Sequence, residues 1–295
     1  LDKSMTKDTG DWMRRLGARL GEPVIRAAVL QAMKIMGGQF VLGRTIKEAL
    51  SRTHKAFKNG GRFSFDMLGE GARTAEDAER YFQSYRDAIA AIVETRTGLG
   101  AIESDSISVK ISALHPRYEE RQSARVMGEL YPKLLSLAEF AKSGGIGLSI
   151  DAEESERLQL SMRLFARLAK EPSLRGWSGL GFVLQAYQKR AVSVTHWLAE
   201  LAQQTGRIIP VRLVKGAYWD REIKHSQEIG LSDYPVFTRK CHTDLSYQVC
   251  AESLLSYPEL LYPQFATHNA HTIALVLACA KPAQAFEFQR LHGMG

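Results

Sequence analysis

The spacing of apolar residues changes at about residue 60 of the chain. Before that point, apolar residues recur with helical spacing, and no run has the continuous apolar character of a buried strand. After it, short runs rich in β-branched and aromatic residues alternate with longer amphipathic stretches. We therefore predict seven strands, at residues 62–67, 106–112, 146–151, 181–187, 209–215, 264–269 and 285–291.

Amphipathic segments fill the intervals between these strands, and most end at a glycine or before a proline. The predicted helices are 74–97, 123–143, 152–170, 191–205, 238–256 and 271–280. Apolar strands that alternate with helices indicate an α/β fold with a parallel sheet. No Gly-x-Gly-x-x-Gly motif follows an early strand, which argues against a doubly wound dinucleotide fold. Polar residues stand instead at the carboxyl ends of the strands, which favours a (β/α)8 barrel of the TIM type.

Charge supports the same division of the chain. The 295 residues carry a formal net charge of +7. Residues 1–60 hold twelve Lys/Arg and five Asp/Glu, whereas residues 61–295 hold 27 of each. We therefore predict a basic helical arm at 1–60 and a barrel at 61–295. The arm's charge indicates a solvated helical face, or a contact with an acidic partner, a membrane surface or another part of the parent polypeptide. It shows no ribbon or helix-turn-helix signature, so DNA binding is not supported.

Composition excludes several classes of protein. With 45% hydrophobic and 24% charged residues, the chain is neither disordered nor a disulfide-stapled miniprotein. No apolar run approaches the roughly 20 residues that span a bilayer. Three cysteines without a C-x-x-C pair favour a reducing compartment, the cytoplasm. Because the sequence begins without Met, we expect it to be part of a longer polypeptide.

Polar and charged side chains at six predicted strand ends form the candidate site. They are Asp66, Lys110, Asp151, Gln185, Arg212 with Lys215, and His268 with Asn269. Both signs of charge at one rim suit a small zwitterion or an anionic cofactor. The segment 211–219 has the highest concentration of candidate binding groups, because it offers two cations, a glycine that exposes the backbone, and two adjacent aromatic rings.

Two other chemistries use some of these residues. Lys110 or Lys215 could form a Schiff base, as in aldolase-type barrels, and that enzyme would be colourless. The histidines at 268 and 271, with the Cys241-His242 pair, match no zinc spacing, so we predict no metal site.

Seven motifs, in order along the chain from about residue 36, resemble one known family. They are 36–43 (MGGQFVLG), 65–70 (FDMLGE), 109–118 (VKISALHPRY), 150–154 (IDAEE), 184–187 (LQAY), 212–219 (RLVKGAYW) and 266–269 (ATHN). They resemble the flavin-dependent proline dehydrogenases, most closely the domain found in bifunctional proline utilization A enzymes. The resemblance implies a flavin barrel that binds FAD and oxidises L-proline to Δ1-pyrroline-5-carboxylate, the first step of proline catabolism to glutamate. Hydride would pass to flavin N5, and the electrons to a membrane quinone.

The resemblance also implies a role for each matching residue. Arg212 and Asp151 are the expected catalytic residues, with Arg212 beside flavin N5 and Asp151 orienting cationic groups that bind substrate. Lys110 would pair with the substrate carboxylate, and Tyr218 and Glu70 would line or close the pocket. The implied cofactor-binding residues are Ala152, Gln185, Arg212, Lys215, Gly216, Ala217, Trp219, Thr238, Thr267, His268 and Asn269.

The family pattern continues for one more strand and helix, and that helix carries an arginine pair for the substrate carboxylate. We therefore expect the eighth βα unit to be missing from this chain, and these 295 residues alone to bind proline poorly. A FAD-binding remnant or scaffold without turnover is the alternative. The implied partners are L-proline, a membrane quinone and a pyrroline-5-carboxylate (aldehyde) dehydrogenase domain in the same polypeptide. A homo-oligomer is left open. The implied location is the cytoplasm, peripherally on the inner face of the membrane.

Overall fold

Seven parallel strands form one sheet in the described part of the chain, and they pair in sequence order from β1 to β7. The computed structural model describes residues 23, 25–33, 37–56, 61–67, 69, 71–95 and 100–294. The strands are β1 Ser64–Asp66, β2 Ser106–Val109, β3 Gly147–Ile150, β4 Leu180–Gln185, β5 Ile209–Val214, β6 Leu261–Ala266 and β7 Glu287–Gln289. All seven predicted strands are confirmed. Parallel neighbours need crossover connections, which the intervening helices provide.

Helices precede β1 and occupy each connection between the strands. They are α1 Ile46–Ala56, α2 Ala75–Glu94, α3 Ser123–Gly144, α4 Leu158–Ala169, α5 Ala191–Thr205, α6 Trp219–Glu228, α7 Lys240–Leu255 and α8 Ala270–Cys279. The predicted start of a helix at Ala152 is wrong, because residues 151–154 form a loop that leads into a 3-10 turn at Ser155–Arg157. Helix α6 was not among the predicted helices.

Local sequence signals set the ends of the helices. The Asp77 backbone N–H donates to Thr74 Oγ1 at 3.0 Å, and the Thr74 N–H donates to Asp77 Oδ2 at 3.2 Å. This reciprocal capping box begins α2. Helix α5 ends at Gly206, whose φ of +60° closes the last turn in the left-handed region that glycine adopts at low cost.

The sheet is strongly curled. Neighbouring strands lie about 4.8 Å apart, so a flat sheet would separate β1 from β5 by roughly 19 Å. Arg212 on β5 nevertheless hydrogen-bonds Ser64 on β1 at 2.6 Å. Arg62, just before β1, forms a 2.9 Å ion pair with Glu287 on β7, the other edge strand. A parallel sheet curled this far, with helices between its strands, is consistent with a barrel of the TIM type.

The chain divides into two compact units, Leu1–Arg52 with Leu291–Gly295, and Thr53–Arg290. In the first unit, residues 25–33 and 37–40 are helical. The boundary between residues 60 and 61, the helical arm and the missing eighth unit stay predictions. Among the described helices, none is both long and apolar enough to cross a membrane.

Candidate active site

Strand direction brings most of the predicted site residues to one edge of the sheet. Lys110 follows β2, Asp151 follows β3, and Gln185 is the last residue of β4. Arg212 lies two residues before the end of β5. Because all seven strands are parallel, these carboxyl ends share one rim. Glu70, which was expected to close the pocket, lies outside the described residues.

Two carboxylates hold the Lys110 ammonium. Its Nζ donates to both carboxylate oxygens of Asp66 at 3.2 Å and makes a short bond to Asp151 Oδ2. The lysine side chain is 8% exposed, whereas that of Asp66 is half exposed. The Tyr85 hydroxyl, from α2, accepts the Lys110 backbone N–H at 3.1 Å. The two carboxylates therefore fix the ammonium, and the Tyr85 hydroxyl fixes the backbone of the same residue.

The carboxylates keep Lys110 protonated. Burial favours the neutral amine, but the attraction of Asp151 and Asp66 outweighs it and holds the pKa of Lys110 above its ordinary value. A Schiff-base lysine needs the opposite, a neutral nucleophilic amine. The geometry therefore argues against Lys110 as a covalent catalyst. Lys215 is also engaged, because its Nζ bonds Asp244 Oδ1 at 2.5 Å.

Neutral hydroxyl groups, rather than carboxylates, hold the Arg212 guanidinium. Its Nη1 donates to Ser108 Oγ at 2.7 Å and its Nη2 to Ser64 Oγ at 2.6 Å. Its Nε is buried without a hydrogen-bond partner. The described residues place no carboxylate within hydrogen-bond distance of this side chain, so its positive charge is oriented but not neutralised by contact.

Burial lowers the pKa of Arg212, while the more distant carboxylates of Asp151, Asp66 and Glu287 act in the opposite direction. A guanidinium remains charged through any ordinary pH range even so. Arg212 is therefore a buried positive charge at the rim, suited to a ligand group that is or becomes negative.

Gln185 connects two loops of the rim. Its Nε2 donates to the Glu153 carbonyl at 2.8 Å, and its Oε1 accepts the Ala217 backbone N–H at 3.1 Å. The side chain is almost fully buried. Gln185 thus fixes the loop after β3, which includes Ala152, against the loop after β5. A bond from this amide to a flavin ring stays a prediction.

The loop after β5 passes tightly over an aromatic ring. Gly216 has φ +145°, and a Cβ atom there would lie 2.4 Å from the ring of Tyr187. Only glycine fits this position without a shift. Gly216 and Ala217 are exposed, and Tyr218 is the N-cap of α6. The predicted close approach of a ligand to this backbone is therefore sterically open.

The remaining predicted cofactor residues lie on the connections after β5 and β6. The Trp219 ring is partly exposed and its Nε1 donates to the Phe237 carbonyl at 3.0 Å, next to the exposed Thr238. Asn269 caps α8 by accepting the Thr272 N–H at 3.0 Å. Thr267 Oγ1 accepts the Asn269 N–H at 3.2 Å, and His268 is exposed between them.

A buried glutamate was missed by the sequence analysis. Glu222, in the first turn of α6, accepts two 2.6 Å bonds from the backbone N–H and the hydroxyl of Ser155. Both residues are buried. The pair joins α6 to the 3-10 turn that follows the loop carrying Asp151. No signal in the sequence marks it, because a glutamate in a polar helix ordinarily faces solvent.

Comparison with known proteins identifies the family. The sequence matches the family model for proline dehydrogenase over residues 49–295. The chain belongs to the proline dehydrogenase family. It is 53% identical over 287 residues to the bifunctional protein PutA of Escherichia coli (strain K12), which covers 96% of this chain and 22% of that protein. The chain thus spans about a fifth of that relative's length.

Other proline dehydrogenases are more distant in sequence. Proline dehydrogenase 1 of Bacillus subtilis (strain 168) is 26% identical over 99% of this chain and 80% of its own length. Two solved structures are similar in fold. Proline utilization A of Bradyrhizobium japonicum matches with a TM-score of 0.83 at 53% identity, over 95% of this chain and 29% of its own. Proline utilization A of Bdellovibrio bacteriovorus, inactivated by N-propargylglycine, matches with a TM-score of 0.86 at 29% identity, over 92% of this chain and 30% of its own.

Proposed function

We propose that this chain carries the active site of an FAD-dependent enzyme that oxidises L-proline to Δ1-pyrroline-5-carboxylate. Hydride would be transferred to N5 of the flavin, with the electrons passed on to a membrane quinone. Membership of the proline dehydrogenase family supports the reaction class. The observation that carries the assignment of the site is Arg212, whose half-buried side chain is held by two neutral hydroxyls at the rim of the sheet.

FAD is chemically suited to the residues present. The buried Arg212 Nε, which has no partner, leaves a donor unused beside a cation. Lys215 and the exposed backbone of Gly216 and Ala217 offer the donors that a pyrophosphate takes. The partly exposed Trp219 ring offers a surface for an aromatic base. These residues would hold the cofactor, together with Ala152, Gln185, Thr238, Thr267, His268 and Asn269. Bound FAD supplies a two-electron acceptor for the substrate C–H bond.

The chain's own residues provide for a zwitterionic substrate. Proline carries a carboxylate, for which the Lys110 ammonium is the cation with fixed geometry. Asp151 holds that ammonium in place, and Tyr218 is at the adjacent rim. The nitrogen of proline must be neutral before its C–H bond can give up hydride. The positive charge of Arg212, which no carboxylate contacts, favours that loss of a proton.

Further proposals concern the protein as a whole. The Escherichia coli relative is described as bifunctional. We propose that a pyrroline-5-carboxylate dehydrogenase domain accompanies this chain, that the protein is cytoplasmic, and that it reaches its quinone by peripheral association with the membrane. We also propose that an eighth βα unit completes the barrel.

An absorption spectrum of the purified full-length protein, with the proposed eighth βα unit and reconstituted with FAD, tests the assignment. We expect flavin bands that bleach when L-proline is added without oxygen. Dithionite is the control, because it reduces any bound flavin. A protein that retains no flavin would contradict the proposal, and so would flavin that dithionite bleaches and proline does not. Covalent trapping of a carbonyl substrate on a lysine by borohydride, in a colourless protein, would favour the Schiff-base alternative.

A further inference from the structure

The interior of the curled sheet holds two serines that no motif indicated. Ser108 lies on β2 and is fully buried, and Ser64 begins the edge strand β1. Their hydroxyl oxygens accept the two Nη groups of Arg212 at 2.7 and 2.6 Å. Distances this short are typical of charge-assisted bonds. One arginine on β5 is thereby anchored to both strands on the opposite side of the sheet.

Hydroxyl partners differ from carboxylates in what they do to a cation. A hydroxyl accepts a hydrogen bond and fixes the direction of the guanidinium, but it brings no negative charge. A carboxylate would fix the same group and also cancel its field at short range. The arginine side chain has several rotatable bonds, so without anchors its charge would be spread over many positions. Two neutral anchors give an ordered charge that remains available to a ligand.

We propose that Ser64 and Ser108 are positioning residues that hold the Arg212 guanidinium, undiminished in charge, against the bound flavin. This inference rests on the proposed function and extends it to two residues without an assigned role. Loss of both hydroxyls would let the guanidinium move. The negative charge that a flavin gains on reduction would then be less stabilised, and the reduction would become less favourable.

The test compares the FAD-reconstituted protein with the double variant Ser64→Ala/Ser108→Ala. We expect the rate constant of flavin reduction at saturating proline to fall by about 10- to 100-fold, since small misplacements of a catalytic group cost this much. The midpoint potential of the flavin should become more negative. The dissociation constant of proline should change by less than about threefold, because the anchors act on Arg212 and not on Lys110, the proposed partner of the substrate carboxylate.

Four further variants separate positioning from folding. Ser149, the register partner of Ser108 on β3, is also buried but is not bonded to Arg212, so Ser149→Ala is the matched control and should leave rate and potential unchanged. Ser64→Thr and Ser108→Thr keep the hydroxyl and should keep both properties. If the double variant fails to fold, the same rate and potential are measured in the single variant Ser64→Ala, on the edge strand.

The outcomes are distinguishable. A parent protein without proline-reducible flavin contradicts the proposed function before any serine is changed. With a functional parent, an unchanged rate and potential in the alanine variants would overturn the positioning role. An equal loss in Ser149→Ala would also overturn it, because the effect would then be one of strand packing.

Discussion

The Lys110 ammonium and the Arg212 guanidinium lie at the same edge of the sheet, yet the protein surrounds them with different partners. Lys110 contacts the carboxylates of Asp66 and Asp151, and their charges exceed its own. Arg212 contacts the hydroxyls of two serines, and its nearest carboxylates act only at a distance. The pKa of the lysine is raised and that of the arginine is lowered.

The difference shows how one site can use two cations for two purposes. A cation held by carboxylates is kept protonated and fixed in place, and its field is largely cancelled outside the cluster. It can bind a substrate carboxylate by a directed hydrogen bond. A cation held by hydroxyls keeps its field, so it can stabilise charge that develops in a reaction. From this comparison we propose that Lys110 serves substrate binding and that Arg212 serves the chemical step.

The largest expected effect is at Arg212. In Arg212→Met the site loses its unneutralised charge, and we expect the rate of flavin reduction by proline to fall by about 10²- to 10³-fold. Stopped-flow absorbance measures this rate. Arg212→Lys is the sharper control, because it keeps the charge but offers a single head group that cannot bridge both serines in the same geometry. Full activity in Arg212→Lys would mean that charge alone matters and that the hydroxyl anchors do not.

At Lys110 we expect a smaller effect on the rate of flavin reduction than at Arg212, but a larger effect on proline binding and on stability. Lys110→Met removes the cation and leaves the carboxylates of Asp66 and Asp151 facing each other. Since the lysine is buried and Asp66 is half exposed, we expect the free energy of unfolding to fall by about 2 kcal/mol. The dissociation constant of proline should rise by about tenfold or more, because a hydrogen bond to a charged group is lost.

Denaturant titration and proline binding by the oxidised protein measure these changes. Lys133→Met is the control, since Lys133 forms a 2.8 Å ion pair with Glu79 on the surface and should alter stability by less than about 1 kcal/mol. If Lys110→Met bound proline normally while slowing flavin reduction, the division of roles between the two cations would be reversed.

The elements that the sequence predicts well are those specified locally. The seven strands follow from short apolar runs, and the start of α2 follows from Thr74 and Asp77. Helix α6 was not predicted because it contains few apolar residues, and its buried side chains are the polar Glu222 and Ser226. A hydrophobic pattern cannot indicate a helix whose inner face is polar.

The same reasoning applies to the site. The charged residues at strand ends were identifiable, because their position relative to an apolar run is visible in the sequence. The hydrogen-bond partners of these residues could not be identified in the same way. The bonds from Arg212 to Ser64 and Ser108 join positions 148 and 104 residues apart, and they exist only because the sheet curls. A serine in a strand gives no indication of which side chain it meets across a barrel.

The smallest expected effect is a change in stability at Asp66, and the sign of that change is informative. Partial burial raises the pKa of Asp66 above 3.8, the attraction of Lys110 opposes this, and repulsion from Asp151 adds to it. The folded protein therefore binds a proton here more readily than the unfolded chain. This contribution to stability is present at pH values below 3.8 and is lost as pH rises to the folded pKa. Above that range, ionised Asp66 makes the folded protein less stable than the protonated acid does.

Asp66→Asn resembles the protonated acid, so at neutral pH it should be as stable as the parent or slightly more stable, by less than about 1 kcal/mol, since the group is half exposed. Measured against this variant, the parent should lose stability as pH rises from about 3.8 through the raised pKa, and the difference should then stay constant. Urea titrations at several pH values test this. A clear loss of stability in Asp66→Asn at pH 7 would show that Lys110 needs both carboxylates. The difference between Lys110, which is held by carboxylates, and Arg212, which is held by hydroxyls, would then be greater than the structure alone indicates.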